Sequence, residues 1–307
     1  MILEIIKNQG LRYFIFRLWY EFKIRTGILK KDFPNKTKIL NYISFEDWKK
    51  LNIAFLLSCR EDIKIVKRNN SDLEHSYNKI RNGSIRFFGH EWKKVSEWNV
   101  NIDSGYEYDV SKHWTQVQDL SKESGDIKYV WEKSRFTYLQ DVMRYDYHYQ
   151  NDSSDFVFAE IEDWIDKNPL NMGPNYKCSQ EISLRCLNWF LVLFFYKNSV
   201  AINEDTWKKI IHSLNWQIKH VYSNINFSRI SVRNNHAITE CLTLYISGLL
   251  LPFLKDSPKW LKKGKKWFEE EIDYQIYDDG TFLQFSHNYQ RVVTQLLTLG
   301  ISISSKH

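Results

Sequence analysis

Glycine and proline are scarce in this sequence. The 307-residue chain holds 11 glycines and 5 prolines, less than half of the roughly 12% that average composition gives. Sandwiches and propellers built from many short strands need frequent turn-forming residues, so this scarcity argues against them and favours long helices. Hydrophobic residues make up 43% of the chain and charged residues 26%, which excludes a disordered or fibrous polypeptide.

Paired cysteines and long apolar runs are also missing. The cysteines form neither a Cys-x-x-Cys spacing nor a zinc-like grouping, so no metal site is expected, and we expect Cys178 and Cys186 to be buried thiols. The four cysteines are Cys59, Cys178, Cys186 and Cys241. The longest apolar runs, Trp189–Tyr196 and Cys241–Leu254, are shorter than the roughly 20 residues that span a bilayer, so no transmembrane segment is expected.

The sequence also lacks a strong net charge and the pattern of a signal peptide. Lys and Arg number 43 against 37 Asp and Glu, a net charge of +6 without basic blocks, so no nucleic-acid partner is expected. The mild positive charge is compatible with a polyanionic ligand. Met1–Lys7 lacks the basic start and cleavage site of a signal peptide, which predicts a soluble, unexported chain.

Aromatic residues, in contrast, are abundant. They make up 16% of the chain, with 12 Trp, 18 Tyr and 19 Phe. Such residues fill cores, but this number also suits a cleft that stacks on flat ligands such as sugar or base rings.

Hydrophobic periodicity predicts helix after helix from about residue 108 onward. One apolar stripe at helical spacing consists of Trp207, Ile210, Ile211, Leu214, Ile218 and Val221. Comparable segments cover 132–147, 155–167, 178–197, 236–251, 257–276 and 288–304. Helices of similar length with short connections indicate paired helices in a bundle, a solenoid or a closed toroid.

The first hundred residues have a different pattern. Ile2–Ile24 is typical of an aromatic-rich helix, Ser44 begins a capping signal for a second short helix, and Ile85–Phe88 predicts a strand. We therefore predict an N-terminal helical and mixed segment over residues 1–100 and a helical domain over residues 101–307.

Generic catalytic signatures, such as a phosphate-binding glycine loop or His-Glu-x-x-His, do not occur. Four polar and aromatic clusters stand out instead near predicted helix ends: Gly125–Arg135, Asn168–Tyr176, Ser231–His236 and Asp279–Arg291. Each has a purely structural interpretation. Asn234 suits an ordinary helix N-cap, and Glu181 with Arg185 suits a helix-surface ion pair after the second cluster.

Taken together and in this order, the clusters resemble the N-terminal helical domain of the heparinase II/III and alginate lyase family of polysaccharide lyases. The family's Asp-x-Lys-x-x-Trp-Glu-x-Ser-Arg segment is matched by Asp126, Lys128, Trp131, Glu132, Ser134 and Arg135. Its second segment is matched by Asn168, Pro169, Gly173, Glu181, Arg185 and Trp189, while Tyr176 stands where Trp is usual. The remaining two segments are matched by Asn234, Asn235, His236, Gly280, Gln284, Ser286 and Tyr289. The resemblance runs over about residues 100–304.

The resemblance implies a mainly α fold, an α/α toroid of paired helices, and β-elimination of a uronic-acid-containing polysaccharide. Asn235 would donate to the C6 carboxylate and so stabilise the charge that develops there. His236 would line the same pocket, and Tyr289 would move the C5 proton or protonate the leaving oxygen. No metal or organic cofactor is expected.

The resemblance also implies a substrate-binding set and an open groove with aromatic sugar platforms. The set comprises Lys128, Trp131, Tyr176, Arg233, Asn234, Gln284 and Ser286. Arg233 or Lys128 would pair with the polyanion or depress the pKa of the tyrosine. Trp131, Tyr176 and Trp189 are candidate platforms, although Trp131 and Trp189 suit helix inner faces and therefore a core position equally well.

Members of this family continue into a β-sandwich domain that commonly supplies a further active-site residue. This chain ends at Ser305-Lys306-His307, so the toroid is expected to be incomplete and the sandwich absent. Two explanations stay open, a fragment of a longer protein and a natural short relative, and with them the activity of this chain alone. The compartment is open too, because the family is mostly periplasmic or secreted.

Three functions are compatible with these observations. The first is a lyase, and the second is a non-catalytic module that binds acidic polysaccharide or takes part in its assembly. The third, a helical-repeat scaffold, leaves the four ordered polar clusters without a cause. The polysaccharide itself stays open among heparan, alginate, hyaluronan and a bacterial capsule or exopolysaccharide, as does the oligomeric state.

Overall fold

The computed structural model describes residues 2–53 and 55–306. Met1 and His307, the outermost positions of the two predicted segments, therefore lie outside the described residues. About 60% of the chain is helical and few residues form strands, which confirms the mainly α prediction. The chain divides into two compact units, the first formed by Met1–Thr37 with Ile218–His307 and the second by Lys38–Gln217.

The secondary structure follows a simple order along the chain. The helices are α1 (Ile2–Gln9), α2 (Leu11–Arg25), α3 (Ile28–Asp32), α4 (Phe45–Lys50), α5 (Ser71–Arg81), α6 (Lys128–Ser134), α7 (Leu139–Tyr149), α8 (Ser154–Lys167), α9 (Ser179–Phe195), α10 (Glu204–Asn226), α11 (Asn235–Leu250), α12 (Ser257–Gln275) and α13 (His287–Ser304). A π-helical segment, Phe227–Val232, lies between α10 and α11. The strands are β1 (Ser84–Phe87), β2 (Glu91–Lys94), β3 (Leu120–Ser121) and β4 (Gly125–Asp126), which pair as two antiparallel hairpins.

Several local predictions are confirmed. Ser44 caps α4, because its hydroxyl oxygen accepts the Asp47 backbone N–H at 3.0 Å. The predicted strand after α5 is β1, in which Ile85 lies opposite Lys93 of β2. The apolar stripe of α10 is buried along its whole length.

Two predicted helices are each divided in the structure. The segment 132–147 was expected to be one helix, but α6 ends at Ser134 and α7 begins at Leu139. Phe136, between them, adopts a φ of 61° and buries its ring against Trp164 and Trp189. The prediction of one helix was wrong because the core of the second unit requires this ring to turn inward.

The N-terminal helix is also divided. Gly10, with a φ of 84°, separates α1 from α2, so the single helix predicted over Ile2–Ile24 was wrong. That φ lies in the left-handed region, which glycine adopts without a steric penalty.

The first unit joins the two ends of the chain. The Tyr20 hydroxyl of α2 donates to Asn224 Oδ1 at 3.0 Å, and the Tyr20 ring lies 4.9 Å from that of Phe227. The predicted boundary at residue 100 falls inside the second unit instead of between the units. Sequence composition could not reveal this arrangement, because it depends on contacts between residues about 200 positions apart.

Helices α11 and α12 pack closely within the first unit. A Cβ atom added at Gly248 would lie 2.4 Å from the backbone N of Leu261, and one added at Gly264 would lie 2.4 Å from the backbone N of Tyr245. Two glycines therefore allow the backbones of these helices to approach each other. This pair carries Asn235 and His236 at its α11 end.

Candidate functional site

The turn between the π-helical segment and α11 carries the Arg233 to His236 cluster. Arg233 ends the π-helical segment with a φ of 47°, in the left-handed region that non-glycine residues seldom adopt. Asn234 is the N-cap of α11, and its side-chain oxygen accepts the His236 backbone N–H at 2.9 Å. The structural interpretation of Asn234 as a helix cap is therefore correct.

Two glutamines hold this turn in place. The Asn235 backbone N–H donates to Gln284 Oε1 at 3.1 Å, across 49 positions of the sequence. Gln275 Nε2 donates to the Asn234 carbonyl oxygen at 3.0 Å. An isolated antiparallel bridge between Ile276 and Phe282 joins the segments that carry the two glutamines. The third and fourth sequence clusters are thus in contact within the first unit.

Two buried polar atoms at the turn have no hydrogen-bond partner within the described residues. One is Oδ1 of Asn235, a residue only 3% exposed, and the other is Nε of Arg233. The Arg233 guanidinium carbon lies 3.3 Å from the centre of the Tyr274 ring, a cation–π contact. Buried polar groups are normally paired, so these two atoms are exceptions at the start of α11.

Three exposed aromatic rings lie on the segment that follows Arg233 in the first unit, and the sequence analysis did not select them. Phe285 is 77% exposed and stacks on Tyr277, with ring centroids 6.1 Å apart. Tyr274, beneath Arg233, is exposed as well. For Tyr277 and Phe285 the available signal in the sequence was the Tyr-Asp-Asp-Gly turn that ends at Gly280, because aromatic residues around a tight polar turn cannot all be buried.

Tyr289 lies in the first turn of α13, three residues after Ser286, and is 44% exposed. Ser286 occupies the N-cap position of that helix but makes no side-chain capping bond. Gln284, which contacts Asn235, precedes Tyr289 by five residues. The convergence of Asn235, His236 and Tyr289 on one cleft stays a prediction.

Trp131 and Tyr176 belong to the core of the second unit. The Trp131 indole N–H donates to the Pro174 carbonyl oxygen at 2.9 Å. Tyr176 is 2% exposed, and its ring lies 6.0 Å from that of Trp164. Burial raises the pKa of the Tyr176 phenol. The prediction that Tyr176 forms an exposed sugar platform is therefore wrong. Trp131 and Trp189 are buried too, so for them the core interpretation is correct.

The second cluster is joined to the first by an ion pair. Arg135 Nη2 donates to Glu181 Oε1 at 2.9 Å, while the Arg185 Nε–H donates to Gln217 Oε1 at 2.7 Å. Glu181 and Arg185 therefore do not form the predicted surface pair, because Arg185 is wholly buried. Burial lowers the pKa of the Arg185 guanidinium to about 10.

Lys128 differs from its neighbours in the first cluster because it is exposed. Its ammonium group pairs with Asp126 at 3.0 Å at the start of α6. Its role in binding a polyanion stays a prediction, and it is the one member of the proposed binding set in the second unit with an accessible charge.

Neither a metal-binding group of side chains nor a membrane-spanning helix occurs among the described residues. No group of three or more His, Cys, Asp or Glu side chains in the described ranges is arranged to hold a metal ion. None of the helices with described residues has the length and apolarity needed to cross a membrane.

Residues 31–304 match the family described as Heparinase II/III N-terminus. This span covers most of the helices and all four sequence clusters. The chain therefore belongs to the heparinase II/III family, as the ordered clusters predicted.

Two characterised relatives are heparin-sulfate lyases. The one from Pedobacter heparinus is 26% identical over 166 residues, covering 52% of this chain and 24% of the relative. The one from Bacteroides thetaiotaomicron is 24% identical over 135 residues, covering 42% of this chain and 18% of the relative. The matched regions thus span about a quarter or less of these relatives.

Solved structures show the same fold. A crystal structure of a heparan sulfate lyase mutant from Pedobacter heparinus superposes with a TM-score of 0.58 and 17% identity. The superposition covers 83% of this chain and 37% of that chain. This likeness confirms the predicted fold class, the mainly α toroid type of the heparinases.

Proposed function

We propose that this protein is a polysaccharide lyase that cleaves a uronic-acid-containing polysaccharide by β-elimination. The observation that carries the proposal is the turn before α11, where Asn235 has a buried amide oxygen without a partner among the described residues and a backbone N–H held by Gln284. Family membership supports the reaction type, and this turn carries the amide to which we assign a role in it.

The chemistry explains why an amide is useful at this position. Elimination breaks the C5–H bond, forms a C4=C5 double bond and releases the oxygen on C4, which takes up a proton. Removal of the C5 proton is difficult because electron density builds on a C6 carboxylate that is already negative. A neutral donor to that carboxylate stabilises the developing charge.

Asn235 is proposed as that donor. A primary amide offers two N–H donors and one acceptor, and a half-turn about its terminal torsion exchanges their positions. After this rotation, the N–H groups of Asn235 occupy the position of its unpaired oxygen and donate to the carboxylate. Arg233, with an unpaired Nε beside it in the sequence, is proposed to pair with a further anionic group of the polymer.

Tyr289 is proposed to carry the proton. Its phenol is exposed on the first turn of α13, so a sugar can reach the oxygen, and a phenolate takes a proton while a phenol delivers one. His236, on the first turn of α11, is proposed to line the same pocket. Phe285 and Tyr277 replace Tyr176 as the proposed sugar platforms because their rings are exposed.

The test is to mix the full-length natural protein with heparan sulfate and to follow the absorbance of the unsaturated uronate that elimination creates. We expect Tyr289→Phe to lower kcat by about 10²–10⁴, since only the proton-transferring oxygen is removed. Asn235→Ala should also cripple turnover. Tyr222→Phe, which changes a tyrosine of α10 that stacks on Trp267, is the matched control.

A Tyr289→Phe protein that cleaves at the parental rate would contradict the assigned role. Polysaccharide binding without turnover in the parental protein, over a panel of acidic polymers, would instead identify a non-catalytic binding module. The panel should include heparan sulfate, alginate and hyaluronan, because the residues at the turn recognise a carboxylate that these polymers share.

A further inference from the structure

One side of α2 is apolar and exposed. The side chains of Leu11, Ile15, Leu18, Trp19 and Phe22 are each 49% to 58% exposed. At about 100° per residue they fall within an arc of roughly 100° around the helix axis. Trp19 and Phe22 stack with ring centroids 5.4 Å apart. A single exposed apolar side chain is ordinary, whereas five on one helix face form a patch that indicates an interaction.

The opposite side of α2 is already buried in the first unit. Tyr20, which points away from the patch on a helical wheel, is bonded to Asn224 and packs against Phe227. A helix that is apolar on both sides is normally covered on both sides. The patch is therefore the side of α2 that a partner would cover.

Positive charge surrounds the patch. On the helical wheel Arg12 lies at one edge and Arg25 at the other, and both are exposed. Residues 1–37 contain eight basic and three acidic residues, a net charge of +5 in a chain whose total is +6. Two of the three acids are neutralised locally, in the Arg17–Glu21 and Lys23–Asp32 pairs.

This combination of features favours an anionic lipid surface over a second copy of the chain. Two copies that meet through α2 would bring like charges together, which opposes association. An anionic bilayer attracts nearby Lys and Arg side chains electrostatically. Trp and Phe rings prefer the headgroup region, and Arg side chains reach the phosphates while their stems stay in apolar surroundings.

We propose that α2 is an interfacial helix that binds the protein to membranes containing anionic lipids. The helix has 15 residues, too few to span a bilayer, so it lies in the plane of the surface with Trp19 and Phe22 inserted. The patch shares no residue with the turn before α11, so this inference does not depend on the proposed lyase activity.

The experiment is flotation of the 307-residue protein with vesicles of phosphatidylcholine, alone or mixed with phosphatidylserine. We expect binding to the mixed vesicles that weakens as salt is added, and little binding to phosphatidylcholine alone. Trp19→Ser with Phe22→Ser should reduce the affinity by about tenfold or more, because two inserted rings are lost. Arg12→Gln with Arg25→Gln should reduce it about thirtyfold, at about 1 kcal/mol per arginine.

Two matched controls distinguish the patch from general surface effects. Ile301→Ser removes an exposed apolar side chain of α13, and Lys262→Gln with Lys265→Gln removes two exposed charges of α12; both should bind as the parent does. Failure of the parent to bind mixed vesicles, or unchanged binding by both α2 variants, would overturn the proposal. A dimer that Trp19→Ser dissociates, without vesicle binding, would assign the patch to a second copy.

Discussion

Asn234 and Asn235 are adjacent but serve different purposes. The Asn234 side chain caps α11 and its carbonyl accepts a bond from Gln275, so its presence in the motif is explained by the fold. Replacing an Asn cap by Ala typically costs about 1 kcal/mol of stability. The Asn235 side-chain oxygen has no hydrogen-bond partner in the described residues, so no comparable capping role explains its presence in the motif.

Tyr176→Ala should strongly destabilise the protein. The ring is buried beside Trp164 and Arg185, 5.8 Å from the latter's guanidinium carbon, and truncating a buried aromatic typically costs about 3–5 kcal/mol. Urea unfolding measures the change. Phe285→Ala, which removes an exposed ring, is the control and should leave the midpoint almost unchanged. Equal stability of the two variants would contradict the core position of Tyr176.

Glu240→Gln should stabilise the protein increasingly as pH rises. Burial raises the pKa of Glu240 well above its usual value. The hydrogen bond from Ser228 lowers this pKa, but its effect is smaller than that of burial. The folded state therefore holds a proton that the unfolded state releases near pH 4.3, so stability falls as pH rises above that value. Gln keeps the acceptor for Ser228 and has no proton to lose.

The measurement is the free energy of unfolding of both proteins from about pH 4.3 to neutrality. The difference between Glu240→Gln and the parent should grow with pH across this window. Glu269→Gln, which alters an exposed carboxylate on α12, should show no comparable trend. A difference for Glu240→Gln that stays constant with pH would mean that the buried carboxyl does not hold its proton on folding.

At the scale of elements, close helix packing depends on small residues. Gly264→Ala places a methyl group 2.4 Å from the Tyr245 backbone N, so α11 and α12 must separate, at a cost of about 1–3 kcal/mol. This loss exceeds the gain in helix propensity that Ala normally brings over Gly, about 1 kcal/mol. Thermal unfolding of Gly264→Ala against Lys262→Ala, an exposed position on the same helix, measures the effect; stabilisation by Gly264→Ala would refute the close approach.

Helix boundaries show where periodicity alone is insufficient. The pattern over 132–147 fits one helix, yet Phe136 turns inward at positive φ and divides it. In contrast, the stripe that includes Trp207 and Leu214 was predicted correctly, because α10 presents one apolar face along its entire length. Local patterns therefore predict a helix well where a whole helix face packs against the core. They predict it poorly where the burial of one side chain interrupts the helix.

For the whole molecule, far-ultraviolet circular dichroism should be dominated by helix. About 60% of the chain is helical, and the strands form two short hairpins in the described residues. The spectrum should therefore show the paired helical minima, with intensity that corresponds to more than half of the residues. A spectrum dominated by strand would contradict both the fold and the family assignment.

The sequence by itself determined the family and the helical class. The evidence was the fixed order of the four clusters, the few turn-forming residues and the apolar stripes at helical spacing. Each of these features depends only on the order of residues along the chain, so it can be observed without the structure. Through their resemblance to the family's motif, the same clusters made Asn235, His236 and Tyr289 candidate site residues.

Only the tertiary structure decided which side chains are exposed. Tyr176 and Trp131 are buried while Phe285 is exposed, although all three are aromatic residues within the motif clusters. The structure also joined the chain's first helices to its last ones, and paired Arg135 with Glu181 across 46 positions. Burial depends on residues brought together from distant parts of the chain, and no local pattern records that proximity.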